Sequence, residues 1–225
     1  MPLHLTRSAF ARVFTQRCFY LFFALLLLVV FVPVIGDTPR GRITANVINL
    51  LVLLAAVAAV GRSMLSFVIA LLLAVPTLAF QLLGIAWSHE RYLALSWMFG
   101  GAFYFATIVY LLGYVFSRES MTADKLYGAA ASYLMLGVLW GYMYAVTQHF
   151  FPGAFSVGGT VAAQVPGVDL FYFSFSTLTT TGFGDIAPVH RAARSLAILE
   201  AVLGTLYVAI LIARLAGIYP AKAEE

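Results

Sequence analysis

Uninterrupted apolar runs constrain this chain more than any other feature. Six of them approach or exceed the ~20 residues that an α-helix needs to cross a bilayer. They occupy residues 18–35, 43–60, 64–87, 92–116, 126–150 and 192–218. Membrane-spanning β-barrels show short segments of alternating polarity instead. The runs therefore predict transmembrane helices.

Composition supports the same prediction. Of the 225 residues, 63% are hydrophobic and 10% are charged, whereas an average soluble domain is ~45–50% apolar and ~25% charged. That much apolar surface does not fit inside one water-soluble core. We therefore expect an all-α integral membrane protein with six transmembrane helices.

Basic residues near the runs predict the orientation. Lys and Arg are enriched in cytoplasmic loops, and an N-terminus placed inside puts most basic residues on the inner side. Both termini are then cytoplasmic, and the loop between the last two runs is extracellular. Arg7, Arg12 and Arg17 precede the first run, as in a secretory signal peptide. Because that run is long and no A-x-A-like cleavage site follows it, we expect a retained first helix.

A polar stretch lies between the last two runs. The apolar segment Val168–Leu178 is too short to cross a bilayer and predicts a re-entrant or buried helix. It leads into Thr179–Asp185 (TTTGFGD), which we call the strip. Non-helical backbone is tolerated at membrane depth only where protein buries it or where it lines water. Glycine reaches positive φ at low cost, so Gly182 and Gly184 would allow the carbonyls of the strip to face one side.

The strip resembles the pore loop of potassium channels, usually written T-T-V-G-Y-G-D. The context is similar too, since an outer helix (126–150) precedes a short pore helix (about 169–179) and an inner helix (192–218) follows. Pro188, just past the aspartate, also resembles the family pattern. The resemblance implies a prokaryotic six-transmembrane channel, similar in layout to voltage-gated channels, that conducts potassium passively.

The resemblance also implies roles for individual residues. Four of them would supply the carbonyls of stacked potassium sites, together with the hydroxyl of the first: Thr180, Thr181, Gly182 and Phe183. Gly184 would complete the filter, and Asp185 would lie at its outer mouth. A ring of carbonyls needs four such strips, and this chain has one. The implied partners are therefore three further copies in a homotetramer, potassium ions and membrane lipids.

Two positions of the strip depart from the family pattern. Thr181 stands where valine is common, and its hydroxyl needs a hydrogen-bond partner. Phe183 stands where tyrosine is common, and it has no hydroxyl to bond into the pore helix. Such a filter would depend more on van der Waals contact. A weakly selective cation channel is therefore the alternative to a potassium-selective one.

The pore helix departs from the pattern as well. Four of its residues are expected to support the strip: Tyr172, Phe173, Ser176 and Thr177. The first two stand where voltage-gated relatives often carry tryptophan. Ser176 stands where some members of the family have a glutamate, so that carboxylate is missing here.

Glu200 and Gly204 are the candidate gating residues of the last helix. Glu200 is the one acidic residue deep in any run, and an intramembrane carboxylate is costly to bury. It would face a central cavity and concentrate cations, or reach the pore helix at Ser176, Thr177 or Thr181, or lie toward lipid. Gly204 resembles the hinge glycine of the family, and close helix packing is its other interpretation.

The first four runs lack the charges of a voltage sensor. Residues 92–116 contain no arginine, and the movement of charge through the membrane field is what makes opening voltage-dependent. We therefore expect residues 18–116 to form a four-helix bundle that does not sense voltage. The other divisions are a cytoplasmic N-terminus (1–17), a cytoplasmic linker (117–125), the pore domain (126–218) and a short tail (219–225).

Other function classes lack support in the sequence. No paired carboxylates, Ser/His/Asp set or metal cluster lies in the runs, so we expect neither an enzyme nor a cofactor beyond the permeant ion. The net charge of +4 needs no nucleic-acid partner, because basic residues at membrane edges face anionic lipid headgroups. The sequence predicts an inner-membrane protein with an irregular extracellular segment over 151–167.

Overall fold

A computed structural model describes residues 17–35, 39–61, 64–87, 89–117 and 122–218. The helices are α1 (Arg17–Ile35), α2 (Pro39–Val60), α3 (Met64–Trp87), α4 (Glu90–Val115), α5 (Ala123–Phe150), α6 (Gly167–Leu178) and α7 (Arg191–Ile218). The strands are β1 (Phe155–Val157), β2 (Thr160–Ala162) and β3 (Ile186–Pro188). Three predicted segments lie wholly or partly outside the described residues. They are most of the N-terminus (1–16), the middle of the linker (118–121) and the whole of the tail (219–225).

Four of these helices are long and apolar enough to cross a membrane: Met64–Trp87, Glu90–Val115, Ala123–Phe150 and Arg191–Ala216. Within the described residues, α1 and α2 contain shorter apolar segments, Arg17–Phe31 and Thr44–Val60. The chain is thus a predominantly helical, multi-pass membrane protein. Two further spans at α1 and α2 stay a prediction.

The chain divides into two compact units, Met1–Met135 and Leu136–Glu225, and the division falls within α5. In the first unit, α1 packs on α2 and α3 packs on α4. Side-chain amides link the helices in that unit: Gln81 donates to Asn46 Oδ1 at 2.5 Å and accepts from Asn49 Nδ2 at 3.3 Å. The Tyr104 hydroxyl donates to Asn49 Oδ1 at 3.3 Å. These bonds satisfy polar groups of α2, α3 and α4 in an otherwise apolar bundle.

The start of α5 caps the first helix of the same unit. Asp124 Oδ1 accepts the backbone N–H of Cys18 at 3.0 Å, and Oδ2 accepts the Tyr114 hydroxyl at 2.9 Å. The first N–H groups of a helix lack partners within it, and the helix dipole favours a carboxylate there. Lys125 Nζ donates to Ser117 Oγ at 2.8 Å. α1, α4 and α5 are therefore tied together at one end of the first unit.

The second unit contains a three-stranded sheet besides its helices. Its order is β2-β1-β3, and β1 pairs antiparallel with both neighbours. Ser156 of β1 faces Val161 of β2 and Ala187 of β3. Gly158 and Gly159 form the turn between β1 and β2 with φ of +56° and +83°, values that glycine adopts readily. The prediction of an irregular segment over 151–167 is wrong where β1 and β2 pair. The all-α prediction is confirmed in its coarser form, because the described residues are predominantly helical. Three-residue strands are too short to show alternation in the sequence.

Candidate functional site

In the second unit, α6 packs against two glycines of α5. A Cβ atom on Gly137 would lie 2.6 Å from the ring of Phe175, and one on Gly141 would lie 2.4 Å from the ring of Phe171. Both pairs are spaced one helical turn apart, so two rings of α6 fill two glycine positions of α5. Small residues let membrane helices approach closely. This contact sets how closely α6 approaches α5.

Gln148 holds the chain just before α6. Its side-chain amide exchanges two 2.9 Å hydrogen bonds with Val165: Nε2 donates to the carbonyl, and Oε1 accepts the backbone N–H. Both residues are buried. Pro166 follows, and proline is favourable at a helix start because it lacks the N–H that would have no partner there. The α6 helix therefore begins at Gly167, two residues earlier than the sequence predicts.

The sign of the backbone φ angle alternates along the strip. Thr180, Gly182 and Gly184 have φ of +57°, +58° and +81°, and Thr181 and Phe183 between them do not. Alternation of this kind turns successive peptide groups to the same side. Positive φ is easy for glycine but rare for a β-branched residue. No local sequence pattern predicts the left-handed backbone of Thr180.

Ser176 binds three successive amides of the strip. The N–H groups of Thr181 and Gly182 donate to its carbonyl at 2.9 and 3.2 Å, and the N–H of Phe183 donates to its hydroxyl at 3.4 Å. In a trans peptide the N–H and C=O groups point in opposite directions. The carbonyls of Thr180, Thr181 and Gly182 are therefore directed away from α6. One serine therefore organises this part of the strip.

Threonine hydroxyls join the strip to the last turn of α6. Thr179 Oγ1 lies 2.9 Å from Thr181 Oγ1 and donates to the Phe175 carbonyl at 2.7 Å. The Thr181 hydroxyl thus has the partner that its position requires. The backbone N–H of Thr180 donates to the carbonyl of Thr177 at 2.9 Å. Thr177 therefore supports the strip through its backbone.

Tyr172 holds the outer end of the strip. Its ring stacks on that of Phe183, with centroids 5.9 Å apart and planes inclined by 13°. Partial desolvation raises the pKa of the Tyr172 phenol, and a hydrogen bond to Asp185 and the negative charge of Asp185 raise it further. Phe183 is therefore supported by ring stacking, and Asp185 by a tyrosine hydroxyl.

Phe173 lies in an aromatic cluster with Tyr144 and Phe155. Ring centroids in this cluster are 5.0 Å (Tyr144–Phe173), 5.5 Å (Phe155–Phe173) and 5.6 Å (Tyr144–Phe155) apart, and the planes are steeply inclined. Inclined arrangements are favourable for aromatic pairs. Phe173, expected from the sequence to support the strip, instead joins α6 to α5 and β1.

The sheet holds the chain where it leaves the strip. The N–H of Gly158 donates to the Asp185 carbonyl at 2.8 Å, and the N–H of Val189 donates to the Ala154 carbonyl at 2.8 Å. Between them, Ile186 pairs with Val157. The strip is therefore fixed at one end by α6 and at the other by β1.

Glu200 is fully buried in the second unit. Its Oε1 atom lies 2.5 Å from Ser174 Oγ on α6, and its Oε2 atom accepts the hydroxyl of Tyr144 on α5. The structure thus places it against α6, but next to Ser174 rather than the three residues considered from the sequence. Ser174 and Tyr144 were missed because they lie far from Glu200 in the chain, and a single hydroxyl in an apolar helix gives little signal.

Gly204 lies one turn after Glu200, against the end of α6. A Cβ atom there would lie 2.2 Å from the carbonyl oxygen of Leu178 and 2.9 Å from its Cδ1 atom. This contact supports the close-packing interpretation of Gly204. A hinge at this position stays a prediction.

Residues 131–219 match the family model described as "Ion channel". The matched segment contains most of α5, the sheet, α6, the strip and α7. A search of curated proteins and a search of solved structures found no match. This match favours ion transport over catalysis. Residues 131–219, the part of the chain that contains the strip, are therefore similar in sequence to ion-channel domains.

Proposed function

We propose that four copies of this chain form a potassium-selective channel that conducts potassium passively across the membrane. The observation that carries the proposal is the strip itself. The backbone N–H groups of Thr181, Gly182 and Phe183 donate hydrogen bonds to Ser176. The sign of φ alternates from Thr180 to Gly184. Carbonyls directed away from α6 can then replace the hydration shell of an ion, as rings of carbonyls do in potassium channels.

The exposure of the strip supports a tetramer. Residues 179–185 are all exposed in the single chain, whereas Ser174 and Ser176 behind them are buried. Free carbonyls are tolerated at membrane depth only in contact with protein or water. Four copies arranged around one axis would bring four strips together around a water-filled path. A single copy has no counterpart for its exposed carbonyls.

A weakly selective cation channel is the second candidate. Its support is that the outer part of the strip depends on one 3.4 Å hydrogen bond from Phe183 to Ser176 and on the stack with Tyr172. We favour potassium selectivity because the alternation in the sign of φ continues to Gly184. The bond from Gly158 to Asp185 also restrains the outer end.

We also propose the number of membrane spans and their orientation. The helices α1 to α5 and α7 would give six spans, with both termini in the cytoplasm of a prokaryotic cell and the sheet outside its inner membrane. Within α4, Arg91 is the one basic residue, and it lies at the helix start. The channel would accordingly lack a conventional voltage sensor, since few charges could move through the field.

Flux and reversal potentials in liposomes test the proposal. Purified protein reconstituted alone should carry potassium, and its reversal potential with potassium on one side and sodium on the other should lie close to the potassium equilibrium value. A reversal potential near zero supports the weakly selective alternative. No cation flux contradicts both candidates. The mass of the purified particle by native mass spectrometry checks the tetramer.

Two glycine substitutions provide a matched pair for this test. A Cβ atom on either Gly182 or Gly167 meets nothing within 4 Å, but only Gly182 has positive φ. The Gly182→Ala variant should therefore lose conduction, because alanine adopts positive φ only with strain, whereas Gly167→Ala should conduct normally. Equal conduction by both variants would contradict a role for the left-handed backbone.

A further inference from the structure

We propose that Glu200 is held as an uncharged carboxylic acid that donates a hydrogen bond to Ser174, and that it positions the strip by joining α6 to α5 and α7. The protonation state follows from the local geometry alone. The consequence for ion conduction rests on the proposed function. Glu200 acts in this proposal as a positioning residue, since it contacts α6 and not the strip.

A count of protons supports the uncharged acid. Ser174 Oγ lies 2.7 Å from the Gly137 carbonyl and 2.5 Å from Glu200 Oε1, and the Tyr144 hydroxyl meets Glu200 Oε2. These three contacts need three protons, but the two hydroxyls supply one each. The carbonyl accepts only, and an ionised carboxylate also accepts only. A proton on the Glu200 carboxyl group completes the set.

The surroundings of Glu200 oppose a charge. The residue is 0% exposed. Among the described residues, its hydrogen-bonding partners are Ser174 and Tyr144, and it forms no ion pair with a Lys or Arg. A buried carboxylate without a cation is so costly that the group takes up a proton instead. Chemistry and geometry therefore agree on the neutral form.

The cluster links three helices behind the strip. Glu200 belongs to α7, Ser174 to α6, and Tyr144 to α5. Ser174 precedes by two residues the Ser176 that binds three amides of the strip. A shift of α7 at Glu200 would thus be transmitted to α6 at Ser174 and from there to Ser176. The cluster therefore supports α6, and through it the strip, from α7.

Three substitutions separate the role of shape from that of charge. Glu200→Gln keeps an acceptor for Tyr144 and supplies an N–H donor to Ser174, as the neutral acid does. Glu200→Met keeps the length but removes both bonds, and Glu200→Asp keeps the acid but shortens its reach. We expect the Gln variant to retain the potassium-to-sodium permeability ratio and the rate of current decay. The Met and Asp variants should decay on the order of tenfold faster, as expected when a buried hydrogen bond is lost.

Infrared spectroscopy tests the protonation state without reference to conduction. Wild-type protein in lipid at neutral pH should show the carbonyl-stretch band of a protonated carboxylic acid. Glu200→Gln should lose this band. Asp124→Asn should keep it, as a control for the other buried carboxyl group among the described residues. A wild-type spectrum with no band that depends on Glu200 overturns the proposal. A Gln variant that decays as fast as the Met variant overturns it as well.

The two proposals fail in different ways. If the protein carries no cations, the proposed function fails, while the infrared band still decides the state of Glu200. If the protein conducts potassium but the band is absent, the channel stands and the inference falls. The Tyr144→Phe variant keeps the ring between Phe155 and Phe173 and removes only the hydroxyl. Its current should decay faster than that of wild type, because Glu200 Oε2 loses its donor. An unchanged decay rate would contradict the cluster.

Discussion

The carbonyl oxygen of Leu178 lies 2.2 Å from the point that a Cβ atom on Gly204 would occupy. The end of α6 and the middle of α7 are thus in backbone contact in the second unit, and any side chain at position 204 separates them. Because Leu178 is the last residue of α6 and the strip follows it, this contact determines where the strip begins. Position 204 therefore bears directly on the geometry of the strip.

Gly204→Ala should reduce both conduction and stability. The added methyl group meets backbone, which cannot rotate away, and overpacking of this kind costs about 1–3 kcal/mol. Thermal unfolding in detergent and potassium flux in liposomes measure the two effects. Gly113→Ala on α4 is the control, because a Cβ atom there meets nothing within 4 Å. Normal flux in Gly204→Ala would show that α7 shifts freely relative to α6.

The packing of α6 against α5 predicts that a particular second substitution restores lost stability. Gly141→Ala should destabilise the protein, because its methyl group would meet the Phe171 ring at 2.4 Å. Adding Phe171→Leu should restore part of the loss, with a coupling of about 0.5–3 kcal/mol between the two sites. Adding Phe175→Leu should restore nothing, since that ring faces Gly137 instead. Thermal unfolding of the single and double variants measures the coupling.

The pairing of β1 with β3 predicts a disulfide. Val157 and Ile186 are directly opposite each other, and the Cα separation of such pairs falls within the range that a disulfide spans. The double variant Val157→Cys/Ile186→Cys should crosslink within one chain under mild oxidation. Val161→Cys/Ile186→Cys should not, because β2 lies on the far side of β1. Mass spectrometry of the digested protein distinguishes them, and equal crosslinking in both would contradict the sheet.

Removal of the Ser176 hydroxyl should weaken the outer part of the strip. In Ser176→Ala the carbonyl still accepts from Thr181 and Gly182, but the Phe183 N–H loses its acceptor. A lost hydrogen bond of this type costs about 1 kcal/mol. The current should decay faster, and the potassium-to-sodium permeability ratio should fall. Thr147→Ala is the control, because its hydroxyl bonds only within α5, and that variant should match wild type.

The charge content of α4 predicts weak voltage dependence. Opening of a voltage-gated channel draws ~2.3 kcal/mol from each elementary charge that crosses 100 mV. Beyond Arg91 at its start, α4 carries no basic residue. Open probability in planar bilayers should therefore change little between negative and positive potentials. Steep opening with several gating charges would show that other residues move through the field.

Some features of residues 126–218 could be predicted from the sequence because they are local. Apolar runs of sufficient length make helices favourable in lipid wherever they pack, and α5, α6 and α7 lie close to their predicted ranges. The positions of Gly182 and Gly184 in the strip likewise depend on φ preferences of single residues. Hydropathy and φ preference are properties of short segments, so they do not depend on contacts between distant parts of the chain.

The supports of the strip depend on contacts between distant segments, and only the tertiary structure decided them. The left-handed backbone of Thr180 is unfavourable on its own and persists because its surroundings hold it. The β1–β3 pairing joins residues about thirty positions apart, Ser156 and Ala187 among them. Glu200 is costly to bury until Ser174 and Tyr144 surround it. The sequence thus determined a membrane-embedded chain with one strip of carbonyls, and packing determined which residues hold that strip in place.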